Sequence, residues 1–136
     1  MTVFVCIDDR GGMLFNKRRQ SRDSRVIEDV IRTAEDGVLY ISDFSEMLFE
    51  ESEASVISVP DPLESAGEGG FVFIENRHLK EHIKKIDRLI IYKWNRKYPS
   101  DFTLDIDPIA DGFKKKSTRE FGGTSHDKIT REDYVK

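Results

Sequence analysis

The chain has 136 residues, which suits one compact domain with a hydrophobic core and is too short for two domains of ordinary size. Charged residues make up 35% of it and the net charge is −4, yet its apolar residues fall in periodic clusters that a disordered chain lacks. A single cysteine, Cys6, excludes an internal disulfide. We therefore expect one globular domain over residues 1–136, in a reducing compartment.

The first residues argue against export and against insertion into a membrane. An apolar run over residues 2–7 has no basic residue before it and meets Asp8 and Asp9 at once, unlike a signal peptide. No stretch of the sequence approaches the roughly 20 apolar residues that span a bilayer. We expect a cytoplasmic protein that does not engage a membrane.

Strand and helix patterns alternate along the chain. Residues 2–7 have the β-branched and aromatic character of a buried central strand, and apolar residues at helical spacing predict a helix over about 24–34. The other predicted elements are a strand at 38–41, a short helix at 43–49, strands at 55–59 and 71–74, a helix after Asn76, a strand at 88–96, and two final strands at 113–121 and 127–135. Between them, residues 60–70 read as a surface loop and 101–112 as an extended edge segment. This order predicts an α/β fold, with a mainly parallel sheet flanked by helices and a C-terminal antiparallel hairpin.

The segment between Asp8 and Asp23 carries the predicted site. It follows the first strand, where Gly11 and Gly12 interrupt regular structure, and open α/β sheets bind ligands beyond the carboxyl ends of their strands. It also concentrates cations in a protein of negative net charge. The predicted ligand-binding residues are Arg10, Gly12, Asn16, Lys17, Arg18, Arg19 and Arg22.

Guanidinium groups bind phosphates and carboxylates in a bidentate manner, so we expect the partner to be a small anion, nucleotide or pterin-like. The chain has no long basic track, which argues against extended nucleic acid. Two alternatives stay open. Asp8, Asp9 and Asp23 are candidate catalytic carboxylates for a metal-dependent nuclease or phosphotransfer enzyme, and Arg18, Arg19 and Arg22 are candidates for docking an acidic partner protein.

The charge distribution offers a purely structural explanation of the same cations. Residues 33–76 contain eleven acids and no Lys or Arg, whereas residues 77–119 contain twelve bases and six acids. If the fold brings these segments together, much of the pattern is self-neutralisation. Likewise, the carboxylates near the first strand could pair with neighbouring arginines and order the loop.

The order of elements resembles dihydrofolate reductase. The resemblance rests on Ile7-Asp8 and Gly12-Met13 in the place of that family's first strand and loop, on residues 71–74 followed by a helix and 88–92, and on Ser125-His126 in the closing hairpin. It implies a trimmed reductase-like fold. It also implies that Asp23, at the start of the first helix, matches the family's pterin-binding carboxylate.

The chain departs from that family where the cofactor binds. Arg18-Arg19 stands in the place of a Pro-Trp pair, and residues 42–45 and 75–77 replace two turns that contact phosphates. Glycine-rich turns let backbone N–H groups reach a pyrophosphate, whereas the Glu75 carboxylate would repel it. The loop over 60–70 is also too short to frame an adenosine. We therefore expect no NADPH-dependent reduction and predict no cofactor and no metal ligands.

The chain also resembles a small bacterial family that carries the label ribonuclease Z. This resemblance lies in residues 8–10, 15–23 and 123–130. True ribonuclease Z holds two zinc ions with a cluster of histidines, and this chain has three histidines in all. The histidine count excludes that mechanism.

Overall fold

The structure, a computed structural model, describes residues 1–52 and 55–136. A seven-stranded sheet forms its centre, and a three-stranded sheet lies beside it. In spatial order the central strands are β5 (Val56–Ser58), β4 (Leu39–Ile41), β6 (Phe71–Phe73), β1 (Thr2–Ile7), β7 (Arg88–Lys93), β10 (Ile129–Val135) and β9 (Lys114–Phe121). The first five are parallel, while β10 is antiparallel to both β7 and β9. The predicted fold class is confirmed: the sheet is mainly parallel and ends in an antiparallel hairpin.

The central strand β1 is apolar on both faces, because the sheet is covered on both sides. Val3 and Val5 pack into one hydrophobic cluster and Phe4 into the other, and all three are fully buried. Alternate residues of a strand point to opposite faces, so one short segment contributes to two cores. The covering helices are α1 (Ser24–Thr33) on the Phe4 side, and α2 (Pro62–Ser65) with the 3-10 helix Lys80–Lys85 on the other.

The helices partly follow the predictions. The helix predicted over 24–34 is confirmed, with Asp23 as its N-cap and Val26 and Val30 buried against the sheet. The two short predicted helices form, but as tighter 3-10 helices at Asp43–Phe49 and Lys80–Lys85, in keeping with their length. Helix α2 occupies part of the expected 60–70 loop. None of the helices within the described ranges is long and apolar enough to cross a membrane.

The segment expected to be a loop after β1 is instead a β-hairpin. Strands β2 (Gly12–Phe15) and β3 (Arg18–Arg19) pair antiparallel, and β8 (Phe102–Thr103) adds a third strand. The two turn residues, Asn16 and Lys17, both have positive φ, at 52° and 63°, which matches the twist of a two-residue hairpin. Because successive strand residues face opposite ways, Arg18 and Arg19 point to different sides.

The acidic segment, residues 33–76, and the basic segment, residues 77–119, lie largely apart in the fold. Among the described residues, three ion pairs join the acidic stretch 33–76 to a basic side chain: Arg19–Glu75, His82–Glu64 and Lys85–Glu64. The strands of that stretch form one edge of the sheet, and the lysine-rich β9 forms the other. Ion pairing between these two segments therefore explains little of the charge pattern.

Candidate functional site

Asp8 follows β1 directly and holds the hairpin at the end of the central sheet. One carboxylate oxygen accepts hydrogen bonds from the backbone N–H groups of Arg10 and Gly12, at 2.9 and 2.7 Å. The other accepts from Gln20 Nε2 and from the backbone N–H of Tyr98, both at 3.1 Å. Burial alone would raise the pKa of Asp8, but these hydrogen bonds outweigh it and lower the pKa below its usual value. Both carboxylate oxygens of Asp8 thus accept hydrogen bonds from within the chain.

Arg19 points inward from β3 and reaches the carboxyl end of β6. Its Nε and Nη2 donate to the two oxygens of Glu75, at 2.9 and 3.0 Å, and Nη2 also donates to the Phe44 carbonyl at 2.7 Å. Ser45 Oγ donates to the same Glu75 carboxylate at 2.7 Å. The guanidinium carbon lies 4.8 Å from the centre of the Phe44 ring. The charge of Arg19 is therefore neutralised within the chain.

Arg18 points outward, into a concavity of about 340 Å³ beside the hairpin. We call this the Arg18 concavity; its lining residues are Phe15, Asn16, Arg18, Arg19, Gln20, Tyr98 and Pro99. Within the described part of the chain, the Arg18 guanidinium forms no ion pair or hydrogen bond. Phe15 is 48% exposed, which is unusual for an aromatic residue. A cation that no described residue neutralises thus lies next to an exposed aromatic ring.

Asp23 caps α1 and also fastens the turn between β9 and β10. Its Oδ1 accepts from the backbone N–H groups of Arg25 and Thr124, both at 3.0 Å, and from Thr124 Oγ1 at 3.1 Å. Its Oδ2 accepts from the Ser125 backbone N–H at 2.8 Å and contacts His126 Nδ1 at 3.0 Å. Burial acts to raise the pKa of Asp23, but these hydrogen bonds, led by that of His126, hold the pKa well below its usual value.

His126 is a buried polar residue that the sequence places in the closing hairpin without indicating a role at a site. Its ring stacks on Trp94, with centroids 4.6 Å apart and an angle of 21° between the planes. While Nδ1 faces Asp23, Nε2 lies 2.9 Å from Ser21 Oγ and 3.2 Å from the Tyr98 hydroxyl. His126 belongs to the turn between β9 and β10, residues 122–127, which we call the terminal turn. Its ring connects this turn to Trp94, directly after β7, and to the segment before α1.

A second concavity, of about 490 Å³, lies between α1, the 3-10 helix Asp43–Phe49 and the terminal turn. Its apolar wall is made by Ile27, Ile31, Met47 and Leu48, and Arg22 lies on its border. We call it the α1 groove. A hollow of about 420 Å³ around Met1 lies at the amino end of β1, away from the strand ends where α/β sheets bind ligands.

The structure divides the predicted ligand-binding residues between several places. Asn16 and Arg18 line the Arg18 concavity, Arg19 is paired with Glu75, and Arg22 borders the α1 groove. Arg10 and Lys17 are exposed. Gly12 is structural as well: a Cβ there would lie 2.6 Å from Gln20 Nε2 and 2.7 Å from Ser100 Cβ.

The three candidate catalytic carboxylates also differ in environment. Asp9 is exposed, whereas Asp8 and Asp23 are buried and accept hydrogen bonds from their own chain. In the described ranges, no three His, Cys, Asp or Glu residues come together in a way that could hold a metal ion.

No protein-family model and no curated protein sequence matches the chain, so neither supports the ribonuclease Z label. Among solved structures, the fold is similar to dihydrofolate reductase from Enterococcus faecalis in complex with NADP(H) and RAB-propyl. The TM-score is 0.68 and the identity 12%, over 98% of this chain and 94% of that one. The structural similarity establishes the fold, whereas an identity this low leaves the activity open. The chain therefore has a mixed α/β fold of the dihydrofolate reductase type.

Proposed function

We propose that the protein binds a small anionic ligand with an aromatic ring, a mononucleotide or a pterin-like acid, in the Arg18 concavity. The observation that carries this proposal is the guanidinium of Arg18, which has no partner among residues 1–52 and 55–136, beside the exposed ring of Phe15. A hydrogen bond between a charged donor and an anion contributes about 1.5–3 kcal/mol, and stacking of a base on an aromatic ring about 1–3 kcal/mol. A volume near 340 Å³ falls in the usual range of small-molecule sites.

The ligand is bound without NADPH-dependent reduction. Two contacts support this part of the proposal. The Arg19–Glu75 pair crosses the end of β6, where a carboxylate replaces the glycine turn expected of a reductase. The Asp23 carboxylate, which the resemblance assigns to pterin recognition, is engaged by residues 124–126. A pterin that bound this carboxylate would have to replace those hydrogen bonds.

Arg18→Glu tests the site. We expect AMP or folate to raise the melting temperature of the wild-type protein by several degrees at saturating concentration. Arg18→Glu should weaken binding in calorimetry by at least about tenfold, because the cation that meets the anion becomes an anion.

Arg25→Glu is the matched control, since it makes the same change of net charge at an exposed position on α1 outside the concavity. It should leave the affinity within about twofold. Equal losses in the two variants, or binding of neither compound, would contradict the proposed site. Consumption of NADPH with dihydrofolate would contradict the absence of reduction.

A further inference from the structure

Three polar side chains on two distant segments form a connected row: Asp23, His126 and Ser21. Asp23 Oδ2 lies 3.0 Å from His126 Nδ1, and His126 Nε2 lies 2.9 Å from Ser21 Oγ. An ionised carboxylate can only accept, so Nδ1 carries a proton; in the neutral tautomer of the ring, the lone pair of Nε2 then faces Ser21 Oγ and the Tyr98 hydroxyl. These are the distances and roles of a nucleophile, its base and the group that orients the base.

The base in this row is held rigidly. The side chains of His126 and Asp23 are 2% and 0% exposed, and the imidazole lies against the Trp94 ring. The backbone N–H groups of Thr124 and Ser125 fix the carboxylate from its other side. Because Asp23 stays ionised at neutral pH, it can stabilise the imidazolium that forms when His126 takes a proton.

Ser21 lies in a crevice that adjoins the α1 groove. It is half-buried and lines a narrow crevice of about 10 Å³, the room of roughly one water molecule. This crevice shares Arg22, Asp23, Ile27 and Leu48 with the α1 groove, so the two adjoin. The crevice has room for a group the size of a water molecule, such as a carbonyl oxygen, and the apolar wall of the α1 groove can contact a short hydrocarbon chain beside it.

We propose that Ser21 is the nucleophile of an acyl-transfer site that hydrolyses esters with a short apolar acyl group. Ser21 Oγ attacks the carbonyl carbon as its proton passes to His126 Nε2. The ester C–O bond breaks, and the leaving alcohol takes that proton and departs, which leaves an acyl group on Ser21. Water then attacks the acyl carbon and gives a proton to His126. The acyl–Oγ bond breaks, Ser21 recovers the proton, and a carboxylic acid leaves.

Two neighbours bear on the chemistry. Arg22 follows Ser21 in the chain, lines the same crevice and forms no ion pair among the described residues, so positive charge is available near a developing oxyanion. The thiol of Cys6 lines the crevice too, but burial raises its pKa well above the usual value and keeps it protonated. The nucleophile in the crevice is therefore the hydroxyl.

Covalent labelling with a fluorophosphonate, which modifies activated serines, tests this proposal directly. We expect the intact mass of the wild-type protein to rise by one adduct, peptide mapping to place it on Ser21, and p-nitrophenyl acetate to be hydrolysed with an initial burst. Ser21→Ala should abolish the adduct and lower hydrolysis at least about 100-fold. Ser117→Ala removes an exposed hydroxyl on β9 and should change neither.

A serine that is merely part of a structural hydrogen-bond network would give no adduct, no burst, and the same background hydrolysis in all three proteins. That result, or an adduct that maps elsewhere, would overturn the proposal. The mapping on the wild-type protein does not depend on how any variant folds. The site is separate from the Arg18 concavity, so the loss of either activity leaves the other to be judged by itself.

Discussion

Replacing Asp29 by alanine is expected to lower the free energy of unfolding by about 2–4 kcal/mol, because the buried Tyr92 hydroxyl loses its acceptor and Arg131 keeps only one of its two carboxylate partners, Asp133. Asp29 lies on the sheet-facing side of α1 and is 4% exposed. Its carboxylate accepts from the Tyr92 hydroxyl and from Arg131, both at 2.7 Å, and from Arg119 at 2.5 Å. The network ties α1 to three strands of the sheet, and without Asp29 the Arg131 guanidinium and the Tyr92 hydroxyl lose an acceptor.

Equilibrium unfolding in urea measures this effect. The control is Glu28→Ala, which removes an exposed carboxylate from the neighbouring position of α1 and should change stability by less than about 0.5 kcal/mol. A loss below about 1 kcal/mol for Asp29→Ala would show that the network contributes little, because water or a shifted side chain satisfies the freed groups.

Asp23→Ala is expected to cost about 3 kcal/mol and to loosen the turn over residues 122–127. The change removes an N-cap, worth about 1 kcal/mol, and leaves the buried His126 and the backbone N–H groups of Thr124 and Ser125 without their acceptor, at about 1–3 kcal/mol. Thermal unfolding and amide exchange of the turn measure the two effects. Asp127→Ala, an exposed carboxylate in the same turn, should alter neither.

The same residue makes stability depend on pH. The pKa of Asp23 is lower in the folded protein than its ordinary value of 3.8, so its contribution is present above about pH 4 and is lost as the pH falls below that. Asp8, Asp29, Glu132 and Asp133 also have lowered pKa values and act in the same direction. The wild-type melting temperature should therefore drop between pH 4 and pH 2.5, and Asp23→Ala should drop by less. An identical drop would contradict the role of Asp23.

The sequence predicts those strands and helices whose apolar residues recur at a regular spacing. The buried strand β1, the helix capped by Asp23 and the closing hairpin each have a pattern of apolar residues with the correct period. The sequence does not predict the β2–β3 hairpin, because its strands are short and its Asn16-Lys17 turn lacks the glycine that usually marks such a turn. Once the turn is placed at Asn16-Lys17, Arg18 and Arg19 are successive residues of a strand, and their side chains therefore point in opposite directions.

The contacts that shape the site join residues far apart in the sequence, so no local sequence pattern predicts them. Asp23 and His126 are 103 positions apart, and Arg19 and Glu75 are 56 apart. Which distant donor saturates a carboxylate depends on how strands are ordered in the sheet, and one sequence carries no periodic signal for it. The resemblance pointed to Asp23 as a ligand-binding group, and only three-dimensional structure reveals how thoroughly the terminal turn engages it.

The most direct test of the central claim, an open anion site at Arg18 beside a closed reductase site, is amide chemical-shift mapping during titration with AMP, folate and NADPH. We predict that AMP or folate shifts the amides of residues 15–20 and of Tyr98 and leaves those of residues 122–127 in place. Shifts centred on the terminal turn, or on the end of β6 with NADPH, would contradict it, because they would mean that the ligand enters the reductase site.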